Sequence, residues 1–568
     1  MPTASAPPSA SERVHVIPAG ALPVIKAFLD ELGVIETINA LVPNESGEYS
    51  YGELAGVVVA SRLQGVPLPI YEIADWASEN AVPMLFGVPA EKLNDDRLGA
   101  MLDAVRPHRV AIWGWVMNRA VQRFGIDLRT LHADPTKIAF EGSYAGQEAL
   151  PPEVPRITYG KPKDGQVDRK LLSLSTLVSA EGGVPAWFGL GDGNHADDVT
   201  YLDDLRELRA HLPLDEVLVI GGDSKLPSRG NLLGVCRWHY RFVATEPWHA
   251  ARRERLEKLW RQGATWQPVP YMAEADRPKP AAERGHYSVI LDTDTLTDPL
   301  NGAPYALRRV YVRSSRKADQ TRLKREKQVA TLQTELERIQ GLLNKYDYTT
   351  LDTVRQRVAR VLRQNPTGRY FHVQVTKTRA HTAPLRMAWT LQRKALQADA
   401  RWDGVYSVIT NLPAETHSPT AVLEIYKGQH HAEGRFRDLN QLPVRVRPLW
   451  LKRPDRIEAL VFLVMLAALI FALLERQVRR HVAQTGQVID GLMPEKRDTL
   501  TPKGQRLLRA FATVSIVQID DGREVRFHLS EPTQVQRQIL QAFGLTNLQS
   551  SITGLAQQVR QTFASALA

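Results

Sequence analysis

Cysteine is almost absent: Cys236 is the single one in 568 residues. That excludes an internal disulfide framework and a cysteine-rich zinc site, and it suits a small core residue in a reducing compartment. Long apolar runs are also scarce. The longest, Ala459 to Leu474, has sixteen residues between Glu458 and Glu475, short of the ~20 that a spanning helix needs. It reads as a buried helix at the centre of a domain, and no membrane partner is expected. The first twelve residues lack the basic start and apolar stretch of a secretion signal. Rich in Pro, Ser and Ala, they read as a disordered lead-in to a cytoplasmic protein. No internal repeat is visible.

What the chain does have is length and positive charge. With 568 residues, 43% of them apolar, it is long enough for several packed domains of roughly 100 to 200 residues. Lys and Arg number 72 against 62 Asp and Glu, a formal net charge of +10, which attracts polyanions, nucleic acid first among them. The charge is concentrated in two runs, Arg308 to Lys327 and Arg435 to Arg456. Each reads either as a phosphate track or as a solvated helix face.

Periodicity divides the chain. From Leu22 to about Phe124 apolar residues recur at helical spacing, with Ile25, Phe28, Leu29 and Leu32 on one face. Asn94 caps a helix start there, which gives Asp95 and Asp96 a structural explanation. Strand patterns follow at 128–140, 170–178 and 184–189, then a helix at 198–212 and an apolar strand at 217–220, which together suggest an α/β sheet with an antiparallel start. A strand at 405–410 resumes the sheet after an interruption. The interruption contains strands at 286–292 and 305–313 and a charged helix whose Val329, Leu332, Leu336, Ile339 and Leu343 form a short heptad seam. A second helix, 351–363, is placed to fold back on the first. Near the C-terminus, strands at 513–519 and 525–529 join across Asp520, Asp521 and Gly522, and helices follow at 532–543 and 552–563.

Strand ends are where an α/β sheet presents its chemistry. Asp134 closes Leu131-His132-Ala133-Asp134, and Asp223 follows a strand through Gly221 and Gly222, glycines that permit close approach of a partner. Each, taken alone, is more often a cap or turn residue than a catalytic one. If 423–441 is largely helical, Tyr426, Gln429 or His430, Glu433, Arg437 and Asn440 share one face, although Glu433 and Arg437 also suit an ordinary surface ion pair. His430 and His431 point about 100° apart on a helix and make a poor zinc pair. His132 reads as a packed strand residue, and Asp403 as a turn residue before Gly404.

The run Tyr426-Lys-Gly-Gln429-His-His-Ala-Glu433-Gly-Arg435-Phe-Arg437-Asp-Leu-Asn440, continuing through Arg447 to Arg456, resembles the DDE transposases of bacterial insertion sequences with a Tyr-Arg-Glu-Lys signature. Tyr426, Glu433 and position 440 keep its spacing; Gln429 stands where the arginine belongs and Asn440 where the lysine belongs. Asp134-Pro-Thr-Lys and Gly222-Asp223-Ser resemble the segments of the first and second aspartates. The resemblance implies an α/β fold with an RNase H-like catalytic domain and mixed sheet, interrupted by an insertion. It assigns 1–14 to the lead-in, 15–125 to a helical DNA-binding domain, 126–241 and 370–482 to the two catalytic parts, 242–369 to the insertion, and 483–568 to a small α+β module.

It further implies Asp134, Asp223 and Glu433 as catalytic residues holding two Mg²⁺ ions, with Mn²⁺ as a substitute, and Tyr426, Lys427, Gln429, Arg435, Arg437 and Asn440 as DNA contacts. The expected partners are double-stranded DNA, both element ends and target, and a second copy of the chain in a synaptic complex. The implied activity is cleavage at the ends of an insertion sequence and joining of 3′ ends to target DNA. Alternatives are a catalytically inactive DNA-binding relative and a nuclease that cuts without joining.

Overall fold

Helical spacing from Leu22 onward is realised as α1 to α7: Leu22–Glu31, Val34–Leu41, Tyr51–Arg62, Ile73–Glu79, Val82–Phe86, Asp95–Val105 and Arg109–Phe124. Local chemistry sets their ends. Ser50 accepts from the Glu53 N–H at 3.2 Å while the Glu53 carboxylate accepts from the Ser50 N–H at 3.1 Å, a reciprocal cap on α3. Asn94 caps α6 through the Arg97 N–H at 2.9 Å, as expected from sequence. The structure is a computed structural model that describes residues 13–44, 47–64, 68–160, 169–196, 200–212, 218–273, 276–277, 279–379, 382, 384–440, 451–494, 497–520 and 525–545. The chain packs as two compact units, residues 1–242 with 427–568, and residues 243–426. Both are mixed α/β.

In the first unit, β1 (Arg13–Pro18) precedes the helices, and β2 (Thr130–Phe140), β3 (Thr158–Tyr159), β4 (Lys170–Ser179), β5 (Pro185–Asp192) and β6 (Val219–Gly222) follow them. β4 is antiparallel to β2, β3 and β5, with a register shift at Leu177/Val178 on the β5 side. The helix α8 (Thr200–His211) then leads to β6, which lies parallel to β2. A parallel return needs a crossover of this kind, whereas β2, β4 and β5 are antiparallel neighbours. After β6 come α9 (Arg229–Arg237) and β7 (Arg241–Glu246), whose first residue donates its N–H to the Leu218 carbonyl at 2.7 Å. β7 carries the chain into the second unit.

That unit adds α10 (Ala250–Arg261), β8 (Gln267–Val269), β9 (Tyr287–Thr297), β10 (Pro304–Ser314), α11 (Ser315–Leu342), α12 (Leu351–Gln364), β11 (Phe371–Lys377), β12 (Leu385–Leu391), α13 (Arg393–Ala400), β13 (Val405–Thr410) and α14 (Pro419–Lys427). β7, β13, β10, β9 and β8 are successive antiparallel neighbours. The heptad seam of α11 is used within the chain: Val329, Leu332, Leu336 and Ile339 pack with Val354 and Val358 of α12 and with Phe371, Val375, Leu385 and Met387 of the β11–β12 hairpin. The unit starts where the sequence places the insertion and runs on to Tyr426, because β13 pairs with β10 and β7.

The first unit resumes with α15 (His430–Asn440) and α16 (Pro454–Thr485), then α17 (Gly504–Arg509), β14 (Ser515–Asp520), β15 (Val525–Leu529) and α18 (Gln534–Phe543). The most apolar window of α16 is entirely buried, as expected for a central helix. β1 pairs antiparallel with β14, from Arg13↔Asp520 to Pro18↔Ser515, and so completes a three-stranded sheet with β15. Residues 13 and 14, expected in the lead-in, belong to this sheet. Two strands alone are marginal in water, and a third stabilises them. The Asp521-Gly522 turn and the 552–563 helix lie outside the described residues.

Candidate active site

The parallel pairing of β2 with β6 brings the two expected aspartates beside each other. Ala133 is in register with Gly222, so Asp134 and Asp223 are each the next residue on adjacent strands, whose backbones run about 4.8 Å apart. Both are part-exposed. Asp134 lies within β2 opposite Thr176 of β4. Asp223 leaves β6, and its Oδ1 accepts the Tyr201 hydroxyl at 3.0 Å and the Lys225 N–H at 2.9 Å.

The third expected carboxylate arrives on α15. Gln429, just before that helix, is buried and donates its amide to the Ala133 carbonyl at 3.1 Å, next to Asp134. The Glu433 N–H then donates back to the Gln429 carbonyl at 3.2 Å, which places Glu433, exposed, in the first turn. α15 packs against β2 and β4. One expectation is corrected here. Residues 423–441 are not a continuous helix: α14 ends at Lys427, Gly428 and Gln429 form a turn, and α15 starts at His430. Tyr426 and Glu433 therefore stand on different helices and share no face. Glycine weakens a helix interior by roughly 1 kcal/mol relative to alanine, and here the side chain of Gln429 turns inward instead of continuing the helical face.

Arg435 is also committed to the interior. Its guanidinium is buried and donates to the Gly183 carbonyl at 2.7 Å, the Gly182 carbonyl at 3.0 Å, Asp438 at 2.8 Å and Glu475 at 2.8 Å. It ties α15 to the β4–β5 turn and to α16. Of the remaining expected contacts, Lys427 is part-exposed and Arg437 exposed; Tyr426 ends the second unit, where its ring lies 5.6 Å from that of Tyr406. Asn440 is the last residue of α15; its side chain lies outside the described residues.

The glycines that end β6 serve packing. A Cβ on Gly221 would come within 2.3 Å of His132 Nδ1, and one on Gly222 within 2.5 Å of Leu226, so the close approach foreseen for them is made by this chain's own side chains. His132 is fully buried, and neither ring nitrogen has a hydrogen-bond partner among the described residues. Burial pushes it down to about 4, which leaves the ring neutral at pH 7. By strand alternation it shares a face of β2 with Asp134.

Two residues have no signal in the sequence pattern. Tyr201 reaches Asp223 only because α8 packs on this sheet. Asp204, also on α8, is buried beside Gly189, where a Cβ would approach its Oδ1 to 2.3 Å. Burial raises this carboxyl to about 7, against the hydrogen bond from Ser175. Ser175 is in register with Pro135 of β2, on the face opposite Asp134.

Three carboxylates are the right chemistry for a hard divalent cation such as Mg²⁺. Among the described residues, however, no group of three or more His, Cys, Asp or Glu side chains is close enough together to hold a metal ion. Asp134, Asp223 and Glu433 sit on neighbouring elements without closing into one ligand set.

Residues 14–111 match the family model of a domain of unknown function, DUF4277, which spans α1 to α6. No curated protein matches the chain. Among solved structures, the chain is similar to a cryo-EM structure of a piggyBac transposase synaptic complex with hairpin DNA, at 8% identity and a TM-score of 0.37, over 96% of this chain and 87% of that one. At that level neither fold nor function transfers from one to the other.

Proposed function

We propose that the chain is a metal-dependent transposase with an RNase H-like catalytic domain, in which Asp134, Asp223 and Glu433 act on DNA phosphodiesters. The observation that carries the reading is the register Ala133↔Gly222, which sets Asp134, within β2, and Asp223, just past the end of β6, at corresponding positions along adjacent parallel strands. The order β5-β4-β2-β6 supports it, with antiparallel neighbours, a helix and a parallel return. The anchoring of Gln429 on Ala133 supports it further, because it fixes the start of the helix that carries Glu433.

In this reading the three carboxylates would hold two Mg²⁺ ions, which supply charge compensation for both the attacking and the leaving oxygen. Phosphodiester displacement needs alignment and electrostatic stabilisation more than a protein nucleophile. Gln429 and Arg435 position α15 from within, while Lys427 and the exposed Arg437 are the cations proposed to contact phosphate. Double-stranded DNA is the substrate, and a second copy of the chain holds the other end in the synaptic complex.

A second reading has a specific observation in its favour. The carboxylates are not gathered into one ligand group, which suits a catalytically inactive DNA-binding relative. One experiment separates these readings from a nuclease that only cuts. The full chain is incubated with Mg²⁺, a target plasmid and duplex DNA carrying the sequences that flank its own coding region. Covalent joining of 3′ ends to the plasmid supports the transposase; cleavage without joining supports the nuclease; selective binding without cleavage supports the inactive relative.

A further inference from the structure

Arg62 closes the last turn of α3 at 1% exposure, and neither its Nε nor its Nη1 has a hydrogen-bond partner among the described residues. An uncompensated charge in a protein interior costs several kcal/mol, and native proteins pair or ligate such groups. Among the described residues no carboxylate answers it. Burial alone lowers the guanidinium, to about 10, so it is still charged at neutral pH. The contrast within the same unit is sharp: buried Arg435 and Arg476 each donate to a carboxylate and to backbone carbonyls.

The guanidinium lines a cavity of about 130 Å³, shared with Ile70, Tyr71, Asp95, Asp96 and Arg456. At about 30 Å³ per water in the liquid, that is room for a few waters or one tetrahedral oxyanion. Tyr71, Asp95 and Asp96 are exposed on its rim, so the cavity opens to solvent. Arg456 is engaged by Asp103 at 2.7 Å, whereas Nε and Nη1 of Arg62 have no partner among the described residues. The rim acids are solvated and screened, whereas Arg62 acts at lower effective dielectric, where its attraction for an anion is greater.

We propose that this cavity is an oxyanion site in which Arg62 donates hydrogen bonds to a phosphate group. The group is either free phosphate or the terminal phosphate of a nucleic acid. Asp95 and Asp96 disfavour a duplex lying along the rim but leave room for a single phosphate to enter. The proposal rests on the cavity between α3, α6 and α16 and does not depend on the carboxylate reading.

The test uses the full chain with inorganic phosphate as probe, titrated against chloride at matched ionic strength. The expected result is a saturable rise in melting temperature, with equilibrium dialysis of radiolabelled phosphate giving about one ion per chain. Arg62→Met should abolish both signals and Arg62→Lys should weaken them. Absence of saturable phosphate binding in the unmodified chain, or an equal response from all three proteins, would overturn the site. Should Arg62→Met fail to fold, Arg62→Lys against the unmodified chain still decides. Short duplexes with and without a 5′ phosphate then compete in the dialysis. Displacement by the phosphorylated duplex alone assigns the site to a nucleic-acid end, and displacement by neither assigns it to the free anion.

Discussion

Two buried arginines in separate units show what a structural charge looks like and what an unanswered one looks like. Arg309 on β10 is 2% exposed, and its guanidinium meets Glu246 at 2.6 Å, Asp294 at 3.0 Å and Asp292 at 3.5 Å. Those acids are themselves shared: Ser407 donates to Glu246 at 2.7 Å and Arg255 to Asp292 at 2.8 Å. Arg62 is as deeply buried and meets no acid among the described residues. Where the chain's own residues satisfy a charge, the charge holds the fold; where they do not, the missing partner is to be sought outside the chain.

Replacing each arginine by an apolar residue breaks the comparison most directly. Arg309→Met removes the buried cation shared by Glu246, Asp292 and Asp294, leaving Glu246 to Arg252 and Ser407 and Asp292 to Arg255, and should cost about 3 kcal/mol, whereas Arg62→Met, measured without phosphate, should be neutral or stabilising because it removes an unpaired charge. Urea denaturation reads both. An equal loss for the two variants would show that Arg62 also serves the fold.

A smaller effect is expected at Asp204, whose carboxyl is raised to about 7 by burial. Raised above its unfolded value of about 4, it binds more protons in the folded state. Its contribution is therefore fully present below about pH 4 and falls away as pH rises to about 7, by at most roughly 4 kcal/mol. Asp204→Asn should flatten the stability profile over that window. An unchanged slope would place the pH dependence elsewhere.

How much of this was legible in the sequence depended on the range of the signal. Helical spacing in 22–124, the Asn94 cap, the strands β2, β4 and β5 and the buried run in α16 are local patterns, and the structure has them within a few residues. The heptad seam of α11 announced a partner, and α12 lay close enough in sequence to be named. Long-range pairing left no such trace: β1 joins β14 across some five hundred residues, and nothing in Arg13–Pro18 marks its partner. At the candidate site, Asp134 and Asp223 are legible from the apolar segments they follow, although β2 runs on past Asp134 to Phe140. The break at Gly428 was missed because the spacing from Tyr426 to Asn440 fits an unbroken helix. Gln429 and Arg435 carry polar side chains that suit DNA, and only packing reveals that both turn inward.

The central claim concerns three carboxylates, and one measurement addresses it directly: cleavage of terminal DNA by Asp134→Asn, Asp223→Asn and Glu433→Gln beside Asp403→Asn. Asp403 is an acidic control, engaged by Arg325 at 2.6 Å in the second unit. An amide keeps the shape of each side chain and removes the charge that a hard cation requires. The first three variants should fold, bind DNA and lose cleavage by orders of magnitude, while Asp403→Asn keeps most of it at a temperature where all four are folded. If Asp223→Asn still cuts while Asp403→Asn is dead, the assignment of the second aspartate, and with it the site built on the β2–β6 register, is contradicted.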